Sequence, residues 1–161
     1  MWPNRGLLDL IGIELPIIQA PMAGANGSAM AIEASEAGGL GSLPCAILDS
    51  AKVRTEIGII RQRTSKPINV NFFCHTPAKP DPERDAAWKA QLTGYYTELG
   101  LDASASTPAV NLAPFNEAMC EIVEDAKPEV VSFHFGLPEK PLLGRVKAAG
   151  CRVLGSATTV E

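Results

Sequence analysis

Pro67-Ile68-Asn69-Val70-Asn71-Phe72-Phe73 is the stretch on which the fold turns. It is short, apolar and rich in β-branched and aromatic residues, so it reads as a strand. Period-two alternation sends Ile68, Val70 and Phe72 to one face and Asn69 and Asn71 to the other. A parallel strand covered on both sides should be apolar throughout. Two asparagines on one face therefore mark that side as a polar interior. The run Val130-Val131-Ser132-Phe133-His134-Phe135 repeats the pattern, with Ser132, His134 and Gly136 opposite Val131, Phe133 and Phe135. The large apolar sets should meet helices and the polar sets should face the inside of a barrel. Asn71 and His134 both fall near the carboxyl ends of their strands, where β/α-barrel enzymes carry their chemistry.

Outward from these two strands, the chain alternates strand and helix. A first strand is expected at Pro16-Ile17-Ile18-Gln19-Ala20, then a helix from Ser28, as cap, to Ala37. Leu40 to Leu43 reads as a second strand and Ser50 to Arg63 as a helix with Val53, Ile57 and Ile60 on one face. After the Asn69/Asn71 strand the rhythm breaks between about 75 and 112, where Pro77, Pro80 and Pro82 precede a helix over Asp85 to Leu99; this reads as an insertion. A helix from Phe115 to Ala126, begun at Pro114, leads to the His134 strand. A helix over Pro138 to Ala149 and a fifth strand over Arg152 to Gly155 follow. Strict alternation implies α/β architecture with parallel strands and right-handed crossovers.

The chain has 161 residues, 46% hydrophobic and 20% charged, enough for one cored domain. A complete eight-stranded barrel usually takes roughly 250 residues. The expected architecture is thus a (β/α)8 TIM-barrel type with about the first five β/α units in this chain. A net charge of −4 lacks the clustered Lys/Arg that would grip nucleic acid or an anionic membrane. Cys45, Cys74, Cys120 and Cys151 are far apart, which argues against a zinc site or a disulfide framework and for a reducing cytoplasm. The expected partner is a small molecule, with no metal.

Several other motifs carry less. Gly39-Leu40-Gly41 follows a helix and opens a strand, the reverse of the order that cradles a pyrophosphate. Cys74-His75 suggests a thiolate–imidazole pair, but neighbours in extended chain point apart, so a loop contact is the simpler reading. Asp81, Glu83 and Asp85 fit a solvated helix start. A strand histidine such as His134 is as often a hydrogen-bonded core residue as a functional one, and Asn69 and Asn71 serve as readily in strand-to-strand hydrogen bonds.

Taken together, Ile17-Ile18-Gln19-Ala20-Pro21-Met22-Ala23-Gly24, Glu36-Ala37-Gly38-Gly39-Leu40-Gly41-Ser42, Asn69-Val70-Asn71-Phe72-Phe73-Cys74-His75 and Val131-Ser132-Phe133-His134-Phe135-Gly136 resemble the nitronate monooxygenases, formerly 2-nitropropane dioxygenases. These are FMN-dependent TIM-barrel enzymes. The Ala20-Pro21-Met22-Ala23-Gly24 opening is shared with flavin-dependent enoyl reductases; the Ser132 to Gly136 segment is more particular. The resemblance implies that the backbone of Ala20, Pro21 and Met22 lies against the flavin ring and that Asn71, with Asn69, hydrogen-bonds FMN. It implies that His134 is the catalytic group, facing substrate beside the flavin, with Met22, Phe73 and Ser132 around the substrate. His134 would either remove the α-proton of a neutral nitroalkane or, protonated, pair with the nitronate anion.

The implied reaction is oxidative denitrification, in which an alkyl nitronate and O2 give a carbonyl compound and nitrite. In the family, later Gly-rich segments hold the FMN phosphate. This chain ends at Glu161, before them, so it reads as the N-terminal portion of one FMN-binding barrel domain, 1–161, whose activity requires the remainder. Two alternatives stand beside this reading: another FMN-dependent barrel reductase that uses NAD(P)H on an enoyl thioester or quinone, and an inert half-barrel. Open barrel edges would favour self-association.

Overall fold

The computed structural model describes residues 4–102, 104, 105 and 112–160. They form two compact units, Met1–Thr76 with Asn111–Glu161, and Pro77–Val110. The second unit lies inside the stretch 75–112. It holds α4 (Pro82–Gln91), capped by Asp81, whose carboxylate accepts from the Arg84 backbone N–H at 3.0 Å, and α5 (Thr93–Glu98). One helix over 85–99 was expected. The break falls at Leu92, where Thr93 Oγ1 donates back to the Ala90 carbonyl at 2.9 Å and Gly94 follows, both unfavourable to an uninterrupted helix.

The first unit begins with α1 (Gly6–Ile11), a single short turn-and-a-half that periodicity is too brief to announce. It continues through α2 (Ser28–Glu36), β1 (Gly41–Pro44), α3 (Ser50–Arg63) and β2 (Ile68–Phe73). After the second unit come α6 (Glu117–Ala126), β3 (Val130–His134), α7 (Lys140–Ala148) and β4 (Arg152–Gly155). The strands lie in the order β1-β2-β3-β4, every neighbouring pair parallel. Helices α2, α3, α6 and α7 follow one another in contact along one side of the sheet. Four parallel strands with alternating helices make a partial β/α barrel.

The expected first strand is cut to a single parallel bridge, Ile18 to Leu40, so the sheet has four strands and a bridge rather than five strands. Pro16 and Pro21 flank it without backbone donors, and a tight turn from the Leu15 carbonyl to the Ile17 N–H precedes it. Helix starts also differ. Gly27 occupies the cap position of α2, and Ser28 is its first helical residue, hydrogen-bonded to Glu56 of α3. Asn116, not Pro114, caps α6 by accepting from Met119 N–H at 3.2 Å. Phe115 is thereby released into the core.

Helix-facing residues behave as alternation requires. Ile68, Val70, Phe72, Val131 and Phe133 are buried with Val53, Ile57 and Ile60 of α3 and Cys120 and Val123 of α6. Phe115 packs its ring between Phe72 and Phe133, with centroids at 4.9 and 5.1 Å. At the amino ends of the strands a second cluster joins Leu8, Ile11 and Ile13 to Leu40 and Val130. Leu40 and Val130 share the face of Ser42 and Ser132, so α1 closes that end of the sheet. One glycine is required by contact. A Cβ on Gly41 would lie 1.9 Å from the Ala31 carbonyl oxygen, so α2 can rest on β1 only where the strand has no side chain.

Candidate active site

On the face opposite the helices, the polar residues of β1, β2 and β3 form one network. Asn69 Nδ2 donates to Ser42 Oγ at 3.0 Å and Ser132 Oγ at 2.9 Å; Asn71 Nδ2 donates to the Ser132 carbonyl at 3.2 Å and its Oγ at 2.9 Å. Gln19 Oε1 accepts from the Ser42 N–H at 2.8 Å, and Asn26 Nδ2 donates to the Ser42 carbonyl at 2.9 Å. The parallel register makes this possible by placing Ser42 beside Asn69 and Asn71 beside Ser132. Both asparagines and Ser132 are buried. Asn69 Oδ1 is buried without a partner among the described residues, an acceptor that the network leaves open.

Above this layer, at the carboxyl ends of the strands, Pro21, Phe73, His134, Phe135, Ser156 and Thr158 line a cleft of about 580 Å³. They come from the segment after the Ile18 bridge and from the ends of β2, β3 and β4. Convergence of several strand ends on one cleft is how barrel scaffolds assemble sites. Phe73 is paired with His134 in the register, their ring centroids 6.2 Å apart. His134 is half-buried, and its Nδ1 lies 2.9 Å from Ser156 Oγ. No group of three or more His, Cys, Asp or Glu that could hold a metal occurs among the described residues.

The expected site residues therefore divide. Pro21, Phe73 and His134 meet in the cleft. Ser132 and the two asparagines lie beneath, with Ser132 Oγ and both amide nitrogens taken by one another. Ala20 and Met22 are exposed and do not line this cleft; the Met22 N–H is taken by Asn26 Oδ1 at 2.7 Å, and Gln19 Nε2 donates to the Ala20 carbonyl. This segment thus presents the apolar side chains of Ala20 and Met22 at the surface, with the Met22 N–H already engaged.

Three residues gain significance from the structure. Phe135 was expected beside Phe133 on the helix side. Its φ of 64° instead turns the side chain into the cleft, exposed, against Phe73. Ser156 follows β4 directly, and the pairing of Phe133 with Gly155, carried on by one residue, sets it opposite His134. That register was the missing signal. His75 has a buried Nδ1 without a partner among the described residues, and its ring lies edge-on to Phe73 at 6.4 Å. Its neighbour Cys74 is no thiolate, because burial pushes the thiol up to about 11.

The fold and site define a class: a partial β/α barrel with an imidazole and an aromatic cleft at the carboxyl ends of its strands. Within that class, the family model for nitronate monooxygenase matches residues 4–161, and the chain belongs to the nitronate monooxygenase family. It is 39% identical to a nitronate monooxygenase of Paraburkholderia phytofirmans over 98% of this chain and 43% of that protein. It is also 39% identical to a nitronate monooxygenase of Pseudomonas aeruginosa over 94% of this chain and 44% of the relative. Among solved structures, a nitroalkane oxidase from Streptomyces ansochromogenes superposes with a TM-score of 0.77 at 32% identity, covering 95% of this chain and 42% of that one. The chain spans less than half the length of the relatives it matches.

Proposed function

We propose that this chain supplies the His134 side of an FMN site at which alkyl nitronates react with O2 to give carbonyl compounds and nitrite. The observation that carries the reading is the convergence of His134 with Pro21, Phe73 and Phe135 in one cleft at the strand ends. The residues present suit a flat, largely apolar ring: the Ala20-Pro21-Met22 segment offers apolar surface, and the buried Asn69 Oδ1 is an acceptor still to be satisfied. FMN, when bound, would accept electrons from the substrate, chemistry no side chain supplies. Ala20, Pro21 and Met22 would pack on the ring. Asn71, with Asn69, would hydrogen-bond the cofactor from the floor of the site.

His134 would take the α-proton of a neutral nitroalkane or, once protonated, pair with the nitronate anion. Met22 and Phe73 would exclude water, and Ser132 would fix the two amides below. The greater length of the relatives supports 1–161 as a portion of one barrel domain, which this reading takes as the N-terminal portion with the stretch at about 75–112 inserted. Four free cysteines support a reducing compartment such as the cytoplasm. The outer edge of β4 is unpaired among the described residues, which supports self-association.

The test is direct. Purified with FMN in a chain that carries the complete barrel, the protein should absorb as a flavoprotein and release nitrite from propyl-2-nitronate, and His134→Asn should cut turnover of neutral nitroalkane far more than FMN content. A colourless protein that releases no nitrite overturns the reading for this chain. NADH consumption without nitrite would select the reductase alternative.

A further inference from the structure

We infer that Ser156 is a positioning residue for His134: its hydroxyl oxygen accepts the proton of Nδ1, so that Nε2 carries the free lone pair and faces the ligand. This rests on the functional reading above: the contact shows that the two groups are hydrogen-bonded, and the role of His134 selects which of them donates. His134 Nδ1 and Ser156 Oγ are 2.9 Å apart, a full hydrogen bond. The contact is built into the sheet. Phe133 pairs with Gly155, and the Ser156 N–H donates to the Phe133 carbonyl at 3.3 Å, so the backbone sets Ser156 beside His134.

A hydroxyl can either accept from an imidazole N–H or donate to an imidazole nitrogen, and the choice fixes the tautomer. If Ser156 donated, the ring proton would sit on Nε2, the nitrogen left for the cleft would have no lone pair with which to take a proton, and charging the ring would require the hydroxyl to turn round and accept instead. If Ser156 accepts, Nε2 is basic in the neutral ring, and on protonation the Nδ1 bond is kept. Acceptance is therefore compatible with both roles of His134. Ser156 is exposed, so its own hydroxyl proton remains satisfied by solvent. Free histidine in water prefers the proton on Nε2, so the inferred state is the less common tautomer, held by a neighbour. That makes it measurable.

The experiment is two-bond 1H–15N correlation of the imidazoles at about pH 9, well above the ordinary imidazole range. The chain has two histidines, so His75 serves as an internal reference. His134 should show a protonated, pyrrole-type Nδ1 and a pyridine-type Nε2. Ser156→Ala should exchange the two signals for His134 and leave His75 unmoved, and Ser156→Thr, which keeps the hydroxyl, should restore the original pattern. A wild-type His134 with its proton on Nε2, or a pattern that Ser156→Ala leaves unchanged, overturns the inference. An Nδ1-protonated His134 in a protein that releases no nitrite would instead sink the nitronate reading and leave the inference standing.

Discussion

Phe135 meets Phe73 edge to face, ring centroids 4.9 Å apart, although strand alternation sends the two residues to opposite sides of the sheet. The contact exists because Phe135 adopts φ 64°, a left-handed conformation that costs a bulky residue about 1–2 kcal/mol. An edge-to-face pair returns roughly 0.5–1.5 kcal/mol, so strain and contact nearly offset. Strained residues of this kind gather at functional sites. Phe135→Ala keeps the strain and loses the ring, whereas Phe135→Gly loses both. Urea unfolding should place the alanine variant about 1 kcal/mol below the wild type and the glycine variant above the alanine one. The reverse order would show that the left-handed backbone is not strained.

Gly41 tests the packing of α2 on β1. Any side chain there meets the Ala31 carbonyl and Ser35 Oγ, which itself accepts from the Gly41 N–H at 3.0 Å and donates to the Pro67 carbonyl at 2.8 Å. Gly41→Ala should cost about 3 kcal/mol or more, because the clash is with helix backbone and no rotamer relieves it. Thermal unfolding checks it; a cost below about 1 kcal/mol would mean that α2 can back away from the sheet.

The four cysteines should be slow nucleophiles. Burial pushes the Cys45 thiol up to about 12 and Cys74 and Cys151 up to about 11, and also raises Cys120. Iodoacetamide at neutral pH, followed by intact mass, should add few groups to the native protein and four to the unfolded one. Rapid native labelling at Cys74 would revive the thiolate–imidazole reading of Cys74-His75.

Glu56 links α2 to α3. The Ser28 hydrogen bond first, then Lys52 at 2.9 Å, hold its carboxyl below the ordinary range. A lowered folded value means that the ion stabilises the fold above the unfolded carboxylate pKa, and that this contribution is lost as pH falls through the lowered value. Glu56→Gln should therefore unfold more easily at pH 7, by about 1 kcal/mol at most, with the difference closing in acid. A gap that persists at pH 2 would trace the effect to packing instead.

Much of the fold is legible in local pattern. The helix side of β2 and β3 follows from period-two alternation because those residues are buried against helices whatever their partners. The same alternation picks out Asn69, Asn71 and His134 as polar groups on the other face. Element boundaries proved less legible. Proline placement near Ile18 reduces a strand to one bridge, and the caps at Gly27 and Asn116 fall one or two residues from the residues expected to start those helices.

By itself the sequence determined that strands and helices alternate, which face of the Asn69/Asn71 and His134 strands is polar, and that His134 lies near the end of its strand. These are properties of a few consecutive residues, carried by side-chain period and solubility. The tertiary structure alone decided that Phe135 turns into the cleft, that Ser156 stands beside His134, and that the amides of Asn69 and Asn71 are held by Ser132. Each depends on a backbone dihedral or on the register between strands distant in the chain. Neither is written in composition or period, because both are settled by hydrogen bonds that form only when the sheet is assembled.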